Sequence, residues 1–238
     1  MKLIIIGSSS QGNSYAIQAD SGEILLLEAG IPFKEVKKSI GYKTSKVVGC
    51  IISHVHGDHC KYAKEYLKAG IIVSSNGDVV QKVLEVNTMF ESITFQFGDF
   101  RVTPFSVEHD VKNFGYLIYH PSYGSIFFAT DCYNLHFALK GCKTYLAECN
   151  YSDKLLKKAV EEGKTPKNQA DRVMLSHMSL EHCISWLHDC KAEDTAEQIV
   201  LIHGSARHLN PQEATSKVQQ EFGIPVFYAK KGLMINLM

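Results

Sequence analysis

The sequence predicts an α+β sandwich in which helices cover two packed β-sheets. Three observations carry this. Short β-branched or aromatic stretches recur along most of the chain. The first half is strand-rich, with hairpin turns such as Gly98-Asp99. The second half interleaves strands with segments of helical period, without the strict alternation of a purely parallel fold.

The elements follow in order. Residues 3–6 are an apolar run too short for the core of a secretory leader, and they lead into Gly7-Ser8-Ser9-Ser10, a strand and then a loop. Strands are predicted at 14–18, 24–28 and 48–52. A helix follows over 57–69, with Tyr62, Tyr66 and Leu67 as its apolar side and Gly70 as its stop. Further strands fall at 71–73, 93–97, 101–105, 115–119, 125–129 and 144–148. Ser152 caps a helix that runs to Gly163, and the polar stretch 161–171 reads as a surface loop. Ser179 caps another helix, with Leu180, Ile184 and Leu187 on one face. A strand at 198–202 precedes a helix with Asn210 as N-cap, Pro211 at its first position and Gly223 at its end. Strands at 225–228 and 233–237 complete the set. With no repeat, low-complexity tract or linker, residues 1–238 read as one hydrolase-sized domain.

Composition narrows the classes. The 238 residues carry 25 Lys+Arg against 25 Asp+Glu, so the chain as a whole exerts no pull on nucleic acid or anionic lipid. Hydrophobic residues at 45% and charged residues at 21% are ordinary for a globular protein and exclude a disordered one. No apolar run reaches the ~18 residues of a membrane span. Seven cysteines, an odd number with no C-x-x-C pair, exclude a zinc ribbon and read as reduced thiols in a cytoplasmic setting. Nothing in the sequence marks a protein partner.

The 11 histidines carry the functional signal through their positions. His54-Val55-His56-Gly57-Asp58-His59 follows an apolar strand and opens a helix. In an extended segment residues i and i+2 point the same way, so His54 and His56 can chelate one ion. Asp58 and His59, in the turn and first helical turn, can face a second. Imidazole and carboxylate donors suit zinc, manganese or iron. His109, Asp131 and His203 each lie just past an apolar strand, where loops gather into sites. His177 stands just before the helix capped by Ser179. A helix N-terminus offers free N–H groups to an anion, so His177 is a candidate for contacting a phosphate or protonating a leaving oxygen. Cys60 and Cys132 flank these positions but read as packing residues, and His208 as a surface loop residue. Lys61, Lys64 and Lys68 share one helical face.

The hexapeptide 54–59 is the signature of the metallo-β-lactamase superfamily, and the chain resembles that superfamily in order. The resemblance implies a four-layer αββα metallo-β-lactamase-like sandwich. It implies one metal site of His54, His56, His109 and Asp131, and a second of Asp58, His59, Asp131 and His203, with Asp131 shared by two divalent ions. Gly7-Ser8-Ser9-Ser10-Gln11-Gly12-Asn13-Ser14, Leu26-Leu27-Glu28-Ala29-Gly30, Glu148-Cys149-Asn150-Tyr151 and Ser176-His177-Met178-Ser179 further resemble the YycJ-type branch and its phage-encoded relatives. That likeness implies a phosphodiesterase or nuclease, in the first place a DNA exonuclease, with a nucleic acid or nucleotide as substrate and Asp58 and His177 in catalytic roles. Glu28 stands where the superfamily usually has Asp, and it is expected to orient a histidine. The alternatives are hydrolysis of a small carbonyl ester, lactone or thioester, and a noncatalytic metal-binding member.

Overall fold

The computed structural model describes residues 1–237. The strands are β1 (Lys2–Gly7), β2 (Ser14–Gln18), β3 (Ile24–Leu27), β4 (Val47–Ile51), β5 (Val73–Ser75), β6 (Asn87–Thr88), β7 (Phe95–Phe97), β8 (Phe100–Val107), β9 (Asn113–His120), β10 (Gly124–Ala129), β11 (Thr144–Glu148), β12 (Gln198–Ile202), β13 (Val226–Tyr228) and β14 (Met234–Asn236). The helices are α1 (Phe33–Ser39), α2 (Gly57–Cys60), α3 (Ala63–Lys68), α4 (Gly77–Lys82), α5 (Asp153–Glu161), α6 (Lys167–Ser176), α7 (Leu180–Asp189), α8 (Ala192–Thr195) and α9 (Pro211–Phe222).

The strands form two seven-stranded sheets, ordered β14-β1-β2-β3-β4-β5-β6 and β13-β12-β11-β10-β9-β8-β7. Each sheet is antiparallel on one side and parallel on the other. In the first, β14 to β3 pair antiparallel and β3 to β6 parallel. In the second, β7 to β10 pair antiparallel and β10 to β13 parallel. The alternation of side chains along each strand builds the layers. Leu3 and Ile5 of β1 face the second sheet, in a core with Phe100, Tyr116, Phe128 and Val200. Ile4 and Ile6 face the other way, against Phe33, Val36 and Tyr66 of α1 and α3. On the second sheet Phe127 and Tyr145 turn outward onto Trp186 of α7, with Val218 and Phe222 of α9 in the same cluster. Helix, sheet, sheet, helix is the expected four-layer order. Among the described residues no helix is long and apolar enough to cross a membrane. All seven cysteines are unpaired and buried.

The terminal elements match their sequence signals. Asn210 Oδ1 accepts the N–H groups of Gln212 and Glu213, and Gly223 closes α9 in the left-handed region. Ser179 Oγ accepts the N–H of His182. Gly98-Asp99 turns β7 into β8.

Four expectations need correction. Ser152 stands at the N-cap position of α5, but its side chain makes no capping hydrogen bond. The helix over 57–69 is two short helices, because Lys61 and Tyr62 break it and the Tyr62 N–H bonds to the Ala29 carbonyl. Lys61, Lys64 and Lys68 therefore do not share one helix. The loop expected over 161–171 is half helix: α6 begins at Lys167 behind Pro166, and only the short turn after Glu161 is irregular. His208 is buried, not a surface residue, with Nε2 2.9 Å from Thr165 Oγ1.

Candidate metal centre

The site is built at strand ends. In parallel sheets the carboxyl ends of the strands gather ligand-binding loops. Here those ends come from both sheets at once. Glu28 follows β3, His54 lies three residues past β4, Asp131 two past β10, Glu148 ends β11 and His203 follows β12. His109 lies two residues past β8, and His56, Asp58 and His59 come from the turn into α2 and its first residues.

Three of these junctions are bent sharply. Glu28, Asp131 and His203 have φ of 66°, 52° and 54°, half of the six described non-glycine residues with positive φ. Such backbone costs ~1–3 kcal/mol per residue and persists where the surroundings hold it. At each one the chain turns out of its strand, and the side chain meets the cluster at the strand ends. Gly30 makes the turn into α2 feasible, since a Cβ there would sit 1.6 Å from the Asp58 carbonyl oxygen.

The side chains named from sequence converge. His56 Nδ1 is 3.3 Å from His109 Nε2. Asp131 Oδ2 lies 3.6 Å from His54 Nε2, 3.4 Å from His59 Nε2 and 3.9 Å from His109 Nε2. Asp58 Oδ2 is 3.2 Å from His59 Nε2 and 3.5 Å from His203 Nε2. They form two groups able to hold an ion, His54–His56–His109–Asp131 and Asp58–His59–Asp131–His203, which share Asp131.

These donor sets fit a divalent metal. With bonds of ~2.0–2.2 Å, the ligand atoms of a tetrahedral ion stand about 3.3–3.6 Å apart, close to most of the separations found here. The Nε2 atom of His54 is buried without a hydrogen-bond partner. A buried ring nitrogen left so costs ~1–3 kcal/mol, which coordination would remove.

A surrounding set of side chains fixes the rings. Ser53 Oγ is 2.8 Å from His54 Nδ1. Asp110 Oδ1 is 3.4 Å from His56 Nε2 and 3.1 Å from His109 Nε2. Glu28, fully buried, accepts the Ser53 N–H at 3.1 Å, and its Oε2 sits 3.4 Å from His59 Nδ1, close to the histidine it is expected to orient but without a hydrogen bond to it. Asn13 Nδ2 donates to Asp58 Oδ2 at 3.2 Å and lies 3.0 Å from His59 Nε2. Ser8 Oγ accepts the His203 N–H, and Asn150 Nδ2 donates to the His203 carbonyl, each at 2.8 Å.

A third group adjoins these. Glu148 Oε2 accepts the Cys132 N–H at 2.7 Å. Its Oε1 accepts from His177 Nδ1 at 2.7 Å and is 3.2 Å from His203 Nδ1. His177 is the least buried member, at 21% exposure, so part of its ring edge meets solvent. It does not work through the helix behind it. The Leu180 N–H is engaged by the Tyr151 carbonyl and the His182 N–H by Ser179, so this N-terminus offers an anion little.

The field is that of a cation site. Burial alone would push the Asp131 carboxyl up, but the charges of His203 and His59 outweigh it and hold it well below the usual carboxylate range. Burial opposes ionisation of Asp58 too, and hydrogen bonds from His203 and His59 reverse that and keep it low. Burial pushes His54 and His109 down, so both rings are neutral and able to donate a lone pair. His177 runs the other way: its burial cost is overcome by the Glu148 charge, which raises it.

Cys60 and Cys132 pack in the apolar layers and belong to neither group. Sequence reasoning missed Asn13, Asn150, Ser53 and Asp110 as individuals. Asn13 and Asn150 lie in the quoted stretches 7–14 and 148–151, but nothing there set them apart from their neighbours.

No protein-family model and no curated protein sequence matches the chain. Solved structures do. The metallo-β-lactamase fold protein YhfI from Bacillus subtilis superposes with a TM-score of 0.77 at 16% identity, covering 99% of each chain. A diphosphatase of the PhnP family gives 0.71 at 17% identity over 98% of this chain and 96% of that one. Human tRNase Z, short form, gives 0.67 at 16% identity over the whole of both. At such identities the likeness is one of architecture, and with the two sheets, their flanking helices and the His/Asp cluster at the strand ends it shows that this chain has the metallo-β-lactamase fold.

Proposed function

We propose that the chain is a dinuclear-metal hydrolase of phosphodiesters, with His54, His56, His109 and Asp131 as one ligand set and Asp58, His59, Asp131 and His203 as the other. The observation that carries this is the Glu148–His177 pair beside a shared-aspartate cluster. Two such donor sets serve many hydrolases, but an imidazole at the rim whose protonated form a neighbouring carboxylate favours suits departure of an alkoxide from phosphate. That two similar structures are a tRNase Z and a diphosphatase supports the same substrate class. The quoted motifs further support a YycJ-type nuclease, acting on DNA.

Zinc or manganese, when bound, would supply Lewis acidity toward the ester and lower the pKa of water. The chain's own groups do the rest. Asp58, steadied by the Asn13 amide, accepts a hydrogen bond from the attacking water and aims it. Glu148 accepts from His177 Nδ1, which fixes the ring and leaves the proton on Nε2 for the leaving oxygen. No covalent intermediate with a side chain is required.

The test is a set of three assays on metal-loaded protein: a fluorogenic phosphodiester, a lactone and a thioester. Turnover of the phosphodiester is expected. Turnover of the carbonyl substrates alone would replace this reading, and inactivity on all three with metal bound would favour a noncatalytic member.

A further inference from the structure

The opposite end of the sandwich carries a second cluster. Glu23 lies in the turn before β3, Asp99 in the turn between β7 and β8, and His120 at the end of β9, paired with Gly124 at the start of β10. Glu28, His109 and Asp131 sit past the other ends of β3, β8 and β10. One carboxylate thus comes from the first sheet, and the other two side chains from the second. Each offers one donor atom, and the three atoms lie within 4.8 Å of one another.

His120 makes this more than a pair of acidic side chains. Its ring is buried at 3% exposure against Phe100, with centroids 4.7 Å apart. Nδ1 lies 2.9 Å from Ser122 Oγ, while Nε2 is buried with no hydrogen-bond partner. A nitrogen buried in this way needs a partner, and oxygens of two carboxylates lie within 4.8 Å of a nitrogen of this ring. Glu23 is set in place. Its Oε2 accepts the Asp99 N–H at 3.0 Å, and its carboxyl fills the space over Gly98, where a Cβ would meet Oε1 at 2.5 Å.

We infer that Glu23, Asp99 and His120 form a separate site for a divalent transition metal of the zinc class, clamping the two sheets at the end away from the catalytic centre. One imidazole with two carboxylates is a hard-to-borderline donor set suited to zinc, cobalt or manganese, with remaining positions open to water. Nδ1 also accepts the Ser122 N–H at 3.3 Å; coordination through Nε2 would move the ring proton to Nδ1, exchange that contact for donation to Ser122 Oγ, and give the outer contact that ligating histidines regularly make. The donor atoms, now up to 4.8 Å apart, must draw in to about 3.4 Å around a tetrahedral ion. Asp99 is exposed and Glu23 only half-buried, so both can make that movement while the buried ring stays still.

Native mass spectrometry of the full chain titrated with zinc tests this against the variant Glu23→Gln/Asp99→Asn. The expected result is one zinc ion more per chain on the wild type, whatever number the main centre takes. Equal counts would overturn the inference. As a readout on the unaltered protein, the side-chain 15N resonance of His120 Nε2 should shift on zinc addition. A resonance that stays in place while the main-centre histidines respond would assign the cluster to ordinary surface hydrogen bonding.

Discussion

His177 differs from the other imidazoles of the cluster in what holds it. The seven side chains of the two ligand sets meet one another through prospective ligand atoms, whereas His177 meets the cluster through a carboxylate 2.7 Å from its Nδ1. In the proposed reaction it delivers a proton and binds no metal. His177→Ala should therefore retain the metal content of the wild type while kcat falls by ~10²–10⁴-fold. Elemental analysis beside steady-state kinetics checks this, and undiminished turnover would reduce the residue to packing. Glu28 makes a different demand. Its carboxylate binds the Ser53 amide and lies beside the His59 ring, so Glu28→Gln should weaken metal binding by ~10–100-fold in a chelator competition. Unchanged affinity would leave Glu28 with the backbone amide alone. At this scale the sequence was legible where chemistry is concentrated. Six residues, 54–59, carry four of the donors, and their types and spacing announce them. The orienting groups were not legible, because Asn13, Asn150 and Ser53 belong to residue types common in any turn and act here through contacts 45 or more positions away or through one neighbour.

At the level of elements, caps decided what could be read. Asn210-Pro211 and Gly223 delimit α9 because the side chain satisfies two orphan N–H groups and the glycine takes the left-handed turn. Asn210→Ala should cost about 1 kcal/mol and lower Tm by ~2–4 °C in a chain of this length. Calorimetry measures it, and an unchanged Tm would mean that packing of Val218 and Phe222 alone holds the helix. Elsewhere tertiary contacts overrode the local pattern. The stretch 57–69 has a continuous helical period, yet the Tyr62 N–H is drawn to the Ala29 carbonyl, which lies on the same bent junction as Glu28. Continuing the helix would have cost the loop that presents Asp58 and His59. Residues 167–176 lack strong amphipathicity, and α6 is held at Ala170 by a small cluster with Tyr151 and Leu156 that no local pattern announces.

Across the whole molecule, the fold class followed from the count and placement of strands. The order of strands within each sheet did not, since it depends on crossovers that sequence does not number. The centre joins both sheets, so its occupancy should bear on global stability. Metal bound at 100 times its Kd is worth about 2.7 kcal/mol, and chelation should then lower Tm by ~5–10 °C, with recovery on readdition. A melting curve indifferent to chelator would show that the two sheets stay packed without help from ions. Four carboxylates, Glu28, Asp58, Asp131 and Glu148, stand among the imidazoles, and a stripped centre must balance them with protons instead.

The crowding of His54, His56, Asp58 and His59 into one short loop has a consequence for assembly. An unfolded polypeptide already presents these four donors as a local chelate, so a cation can be captured before any long-range pairing exists. His109, Asp131 and His203 arrive only when distant strands close. Because the denatured ensemble also binds the ion, excess metal raises stability by less than the native affinity alone would give, and the loop can serve as a seed around which the two halves of the polypeptide come together.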